Sequence, residues 1–219
     1  MHLLEATRQG FPYEGRSLYS MVYAVVEETG ITLIDSGFPT FADRILEELD
    51  RLGGGLPLQQ ILLTHADLDH IGNAYDLQRA TGCKVYISER ELPYMTGARR
   101  RFGIKQDMYD ACARPAPELE VYPDPFPGDF TVIPTPGHSA GHVCVLYKDI
   151  LFAGDLCSYV DNRFAGPNPL YTEDLETAER SLRLIGGYPF KLLCPAHGMP
   201  AERGVYEGRA ADGNGRGTA

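Results

Sequence analysis

Ile61-Leu62-Leu63-Thr64-His65-Ala66-Asp67-Leu68-Asp69-His70-Ile71-Gly72 is the stretch on which the reading of this chain turns. Its first four residues offer no polar face and read as a buried strand. The strand runs straight into His65, Asp67, Asp69 and His70, four groups competent to hold a metal within six residues. On a tight turn they can point into one pocket. Helix capping would explain one of the aspartates, but not two histidines beside two aspartates. Imidazole and carboxylate together suit Zn²⁺, Fe or Mn.

Other strand-like runs end in the same way. His138 follows Thr131-Val132-Ile133 through Pro134-Thr135-Pro136-Gly137, and His197 follows Leu192-Leu193-Cys194 through Pro195-Ala196. Asp155 follows Leu151-Phe152-Ala153-Gly154. Metal-competent side chains at the ends of buried strands converge on one rim of a sheet, where ligand sites occur. The seven candidates His65, Asp67, Asp69, His70, His138, Asp155 and His197 exceed the four ligands of one tetrahedral centre. Two metals about 3.5–4 Å apart are therefore the natural reading.

Around these points strands and helices mix along the whole chain, which predicts an α/β protein. Leu18–Val26 and Ile31–Ile34 read as strands. Phe41–Leu52 has a helical period closed by Gly53-Gly54-Gly55, and a second helix is expected over Ile71–Thr81. Val85–Ile87, Phe130–Pro134, Val143–Tyr147, Ile150–Ala153 and Leu192–Leu193 read as strands. A late helix over Thr172–Ile185 has Glu173 and Asp174 at its start. Glu89–Asp129 and Ser158–Tyr171 break the rhythm and read as binding loops or lids. Residues 1–207 are expected to form one domain, and the Gly-rich 208–219 a disordered tail.

The charge balance, 20 Lys+Arg against 30 Asp+Glu, makes the chain a poor polyanion binder, so no nucleic-acid partner is expected. No run approaches the ~18–20 apolar residues of a membrane span, and no membrane partner is expected. The N-terminal ten residues lack a signal-peptide core, which predicts a cytoplasmic protein. Cys83, Cys112, Cys144, Cys157 and Cys194 are odd in number without a CxxC, so neither a disulfide framework nor a zinc ribbon is indicated. Cys144 and Cys194 read as core residues. The expected partner is a small-molecule substrate, with a homodimer left open.

Leu33-Ile34-Asp35-Ser36-Gly37, THADLDHIG (64–72), TPGHSAGHV (135–143), LFAGDL (151–156) and CPAHG (194–198) together resemble the metallo-β-lactamase fold superfamily, with its glyoxalase II and lactonase branches. The five pieces stand in the family's order over nearly the whole chain. The resemblance implies a four-layered αβ/βα sandwich with a binuclear metal centre at one edge, between the sheets. It implies that His65, Asp67 and His138 hold a first metal and that Asp69, His70 and His197 hold a second. Asp155 would bridge them, and Asp35 would order the metal loop from behind.

The family motif HxHxDH becomes HxDxDH here, because Asp67 stands where the middle histidine is expected. As a ligand, Asp67 lowers the charge of the site and favours Fe or Mn over Zn. As a non-ligand, it leaves the first site weak and one metal tightly held. His142 reads as a structural neighbour rather than a ligand, and Arg99-Arg100-Arg101 as a solvated run rather than an anion clamp. Tyr159 is read as packing in the lid, with carbonyl polarisation as the alternative. Cys157 is read as simple packing.

The resemblance implies a hydrolase in which a metal-bound hydroxide, oriented by Asp69, attacks an ester, thioester or lactone carbonyl. Two divalent ions are expected, with zinc first and Fe or Mn as alternatives because of Asp67. The acidic charge and shortness of the chain argue against the nucleic-acid-processing branches, and too little chain follows His197 for a glutathione-binding helical region. A mononuclear iron oxidoreductase acting on a persulfide and a non-catalytic metal-binding protein are the competing readings.

Overall fold

The computed structural model describes residues 1–211 except 5, 6, 9, 15, 113 and 114. The first sheet runs in the order β1 (His2–Leu3), β4 (Tyr23–Glu27), β5 (Gly30–Ile34), β6 (Leu58–Leu62), β7 (Lys84–Ile87) and β8 (Leu119–Val121). Strands β5 through β8 are parallel to one another. The second sheet runs β14 (Ala201–Glu202), β13 (Leu192–Gly198), β11 (Ile150–Val160), β10 (Val143–Tyr147) and β9 (Phe130–Pro134), with β12 (Arg163–Ala165) paired to β11. A small hairpin joins β2 (Phe11–Tyr13) to β3 (Arg16–Leu18).

Period-two alternation makes the layers. In the first sheet Ile34, Leu62 and Tyr86 face inward and meet Val145, Tyr147, Phe152 and Cys194 of the second. Their neighbours Ile31, Leu33, Ile61 and Val85 face outward and pack on Ile45 and Leu49 of α1 (Ala42–Gly53) and Leu77 of α3 (Ala74–Thr81). On the far side Cys144, Leu146, Leu151 and Leu193 pack on Leu182 and Ile185 of α6 (Leu175–Ile185) and on Tyr206 of α7 (Arg203–Ala211). Four layers result, αβ/βα, as the resemblance implied. Burial pushes the thiols of Cys144 and Cys194 up to about 12, as expected of small core residues.

Several boundaries differ from the expectation, each for a local reason. The helix expected over Ile71–Thr81 is split into α2 (Leu68–Ile71) and α3. Gly72 N–H donates to Gly37 O at 2.9 Å, and the Asn73 amide donates to Ser36 O and Phe38 O while accepting from Phe41 N–H. The expected strand Leu18–Val26 is interrupted where Met21 N–H turns to donate to Ala196 O in the other sheet. Strands β11 and β13 run further than expected, so Asp155 and His197 lie inside strands rather than in turns beyond them. The β11–β13 register shifts between Gly154 and Ser158, a bulge that re-aims side chains beside the site.

The long loops are not structureless. Glu89–Asp129 contains α4 (Leu92–Met95), α5 (Ile104–Ala111) and β8, and Ser158–Tyr171 contains the end of β11 and all of β12. Of the tail expected over 208–219, residues 208–211 belong to α7, and residues 212–219 lie outside the described residues. Among the described residues no helix is long and apolar enough to cross a membrane.

Candidate metal centre

All seven sequence candidates meet where β5, β6, β11 and β13 open at one edge between the sheets. They form two donor groups. Asp69, His70, Asp155 and His197 have ligand atoms within 4.8 Å of one another, as do His65, Asp67 and His138. Asp155 faces both groups. Its Oδ1 lies 3.1 Å from His70 Nε2 and 3.3 Å from His197 Nε2, and its Oδ2 lies 3.5 Å from His138 Nε2.

The second group fits a divalent ion. A tetrahedral ion with bonds of about 2.1 Å spaces its donors roughly 3.4 Å apart. Asp69 Oδ2 stands 3.5 Å from His70 Nε2 and 3.3 Å from His197 Nε2. His70 Nε2 and Asp155 Oδ1 are buried and face each other at 3.1 Å without the alignment of a hydrogen bond, an arrangement that a bound cation would satisfy. The opposite ring nitrogens are tied back: His70 Nδ1 to Asp35 Oδ2 at 2.8 Å, and His197 Nδ1 to Tyr19 O at 3.1 Å. Those bonds fix Nε2 as the nitrogen turned into the group.

Asp35 does more than orient His70. It sits at φ +60°, and its carboxylate accepts from Thr64 N–H at 2.7 Å and from the Thr64 hydroxyl. The strand end, the loop and the ring are thereby held by one buried side chain. His142 lies outside both donor groups. Its Nε2 accepts from Asp155 N–H at 3.2 Å, so Nδ1 carries the proton given to Thr135 Oγ1 at 2.9 Å. Burial, with His65 and His138 alongside, keeps its pKa well below the ordinary value. Gly154 sits at φ +50°, and a Cβ there would stand 2.6 Å from His142 Nε2.

The first group is spaced for a metal but is charged differently. Asp67 Oδ2 lies 3.2 Å from His65 Nε2 and 3.1 Å from His138 Nε2. The same oxygen lies 2.8 Å from Lys105 Nζ, a side chain of α5 that no sequence motif marked. Burial alone would raise the Asp67 pKa, but Lys105 and His65 override it and hold the carboxylate well below its ordinary range. Burial pushes His138 down to about 4.

Two more residues escaped the sequence reading because their partners are distant in the chain. Glu91 is 1% exposed and ties both metal loops together. It accepts from Ala66 N–H at 2.9 Å, and from Ser139 Oγ and Gly141 N–H at 2.7 Å each. Glu91→Ala is expected to destabilise the protein by roughly 3–5 kcal/mol, read from urea unfolding, because three buried donors lose a charged acceptor. A loss below about 1 kcal/mol would contradict that role.

Arg101 is the other. The arginine run expected to be solvated is not uniformly so. Arg99 pairs with Glu173 at 2.9 Å, but Arg101 is 5% exposed. Its Nε–H donates to Ala66 O at 2.8 Å, and its guanidinium lies 3.6 Å from the centre of the Tyr109 ring.

The carboxylates also set a pH dependence. Burial would lower the pKa of His70, but Asp69, Asp35 and Asp155 raise it well above the ordinary value; Asp155 and Asp69 do the same for His197. A raised pKa keeps each ring protonated until the pH climbs past it, so a metal must displace those protons. Affinity should therefore rise with pH through neutrality and fall as pH drops, up to about tenfold per proton per pH unit. Calorimetric zinc titration of the chelated protein in buffers of different ionisation enthalpy should count one to two protons released at pH 7. Finding none would contradict this coupling.

A cavity of about 330 Å³ opens onto Asp67, Asp69, Lys105, His138, Asp155 and His197. Its walls are largely apolar, from Leu18, Phe38, Met108 and Val160, with Tyr19 and Tyr171 at the sides. Cys157 borders it as well, so that residue approaches the site in addition to packing. Tyr159 does not line it; its hydroxyl faces Asn162 at 3.5 Å.

Comparisons with known proteins agree with this architecture. The family model described as the metallo-beta-lactamase superfamily matches residues 15–197. The probable metallo-hydrolase YflN of Bacillus subtilis is 30% identical over 204 residues, 80% of this chain and 77% of that one. A hydroxyacylglutathione hydrolase of Shewanella baltica is 31% identical over 137 residues, 63% of this chain but only 46% of that enzyme. The solved structure of TTHA1623 in a di-iron-bound form matches with a TM-score of 0.68 at 30% identity, covering 90% of this chain and 96% of that one.

Proposed function

Since the chain belongs to the metallo-beta-lactamase superfamily, we propose that it is a metal-dependent hydrolase acting on an ester, thioester or lactone carbonyl of a small molecule. The observation that carries this reading is Asp155, which divides its two oxygens between two donor groups at the floor of an apolar cavity. The relative named for hydrolysing hydroxyacylglutathione supports an acyl bond as the target. The size of the cavity suits a small, partly apolar substrate.

Asp69, His70, His197 and Asp155 would hold a divalent ion. When bound, such an ion supplies Lewis acidity, bringing the pKa of water from 15.7 toward about 7 and polarising a carbonyl. Burial would raise the pKa of Asp69, but the His70 and His197 rings override it and keep the carboxylate ionised. It is placed to accept a hydrogen bond from the attacking water and to pass a proton to the leaving group. Phe38, Leu18 and Met108 line the cavity and would keep bulk water from one side of a carbonyl bound there.

The two imidazoles of the second group suit zinc, while its carboxylates and the di-iron form of TTHA1623 keep iron and manganese in the reading. Donor spacing taken alone supports two ions, one per group. The charge of Lys105 bears on the first.

Chelated protein is expected to lose at least about 100-fold of its activity on a panel of thioesters, lactones and aryl esters, and to regain it with Zn²⁺, Mn²⁺ or Fe²⁺. A fully metallated protein inactive on the whole panel would remove the proposal. One iron per chain with O₂ uptake on a persulfide would put oxidation in its place.

A further inference from the structure

We propose that the ammonium of Lys105 takes the place of the first cation, so that the chain holds one divalent ion, in the Asp69–His70–Asp155–His197 group, and a built-in positive charge in the His65–Asp67–His138 group. The inference rests on the metal-binding reading of the second group given above.

Position is the first argument. Asp67 Oδ2 is the atom on which His65 Nε2 and His138 Nε2 converge, at 3.2 and 3.1 Å. Lys105 Nζ adds a further corner to that cluster, 2.8 Å from the same oxygen and 3.4 Å from His138 Nε2. Those are hydrogen-bonding distances from the ammonium to two of the three donors, Asp67 and His138, where a metal would make coordination bonds.

Charge is the second. Asp67 and the Asp155 oxygen facing His138 are the carboxylates of this group, and the Lys105 ammonium is the cation set against them, in direct contact with Asp67. A divalent ion added beside that ammonium would meet a like charge at close range inside a group from which water is largely excluded. Asp67 is thus the counter-ion of Lys105. This gives the departure from the family motif, the aspartate at its middle, a partner in the lysine reaching in from α5.

Rigidity is the third. Lys105 and Asp67 side chains are each 7% exposed. Just ahead of α5, Arg101 fastens its segment to Ala66 O, the carbonyl immediately before Asp67. The ammonium is therefore delivered by a docked helix. Lys105 also borders the cavity, and its remaining N–H donors take up the task of receiving negative charge on a substrate carbonyl oxygen.

The test counts metal in the full-length protein. Chelated protein is titrated with Co²⁺ and then Zn²⁺, followed by gel filtration, elemental analysis and the visible absorbance of bound Co²⁺. The wild type should retain one ion per chain, and so should Lys105→Arg, which keeps the charge. Lys105→Gln and Lys105→Met should retain two, with the second equivalent binding about 100-fold tighter or more than in the wild type. Should Lys105→Gln melt early, the double variant Asp67→His with Lys105→Gln should also hold two.

His197→Ala should lose the single ion, while His65→Ala should keep it. Two tightly held ions in the wild type would overturn the inference, as would one ion in every Lys105 variant or identical behaviour of the Arg and Gln variants. Loss of the ion from His65→Ala but not from His197→Ala would overturn it too. A wild type that binds no ion at all would remove the metal-centre reading itself, a failure distinct from these.

Discussion

Replacing His70 with alanine is expected to empty the second donor group of metal and to slow hydrolysis on the order of 10³-fold or more, about 4 kcal/mol of transition-state stabilisation. The ring sits at the junction of everything that orders the site. Its Nε2 faces Asp155 and Asp69, its Nδ1 is held by Asp35, and its carbonyl accepts from Ser36 N–H at 2.7 Å and Ser36 Oγ at 2.8 Å. Without the ring, Asp35, Asp69 and Asp155 lose a shared partner, and buried carboxylates are left uncompensated. The check measures metal-to-chain ratio and turnover on one sample, with a thermal melt to separate lost chemistry from lost fold. A His70→Ala protein that keeps both metal and rate would refute the assignment.

Gly72→Ala should prevent stable folding, at a cost of about 4 kcal/mol or more. A Cβ at this position would stand 2.3 Å from Pro39 N, 2.5 Å from Gly37 O and 2.6 Å from Phe38 C. These are backbone atoms of the loop that leads from β5 into α1, and they have no rotamer by which to withdraw. Gly54→Ala is the matched control. Gly54 sits at φ +58° at the end of α1, with open space where its Cβ would go, so only the left-handed backbone costs, roughly 1–2 kcal/mol. Urea unfolding of the pair should separate a clash from a conformational preference. Equal midpoints would show that the packing at Gly72 had been misjudged.

The motif in which Gly72 lies shows what was legible and what was not. Its histidines and aspartates could be picked out because four metal-competent groups in six residues are rare without a shared task. The strands around them showed through period-two apolar runs. Strand ends were harder: β11 runs on to Val160 because a bulge against β13 lets Asp155 turn inward while pairing continues, and no local propensity announces a bulge. The break between α2 and α3 was hidden for a similar reason, since Asn73 takes its partners from Ser36, Phe38 and Phe41. The buried Arg101 read as one of three surface charges until Tyr109 and Ala66 closed over it.

The chain's order of apolar runs and polar turns determined by itself that strands and helices would mix, that one sheet rim would carry imidazoles and carboxylates, and which seven residues those would be; the division into two sheets was implied only by the family resemblance. Alternation and local chemistry are properties of neighbours in sequence, and they survive without a fold. Only the tertiary structure decided how the charges are matched. Lys105 meets Asp67 across 38 positions, and Glu91 spans 25 to Ala66 and 50 to Gly141. Such pairings exist only once helices and sheets have docked, because burial is what makes an unmatched charge intolerable and so selects its partner.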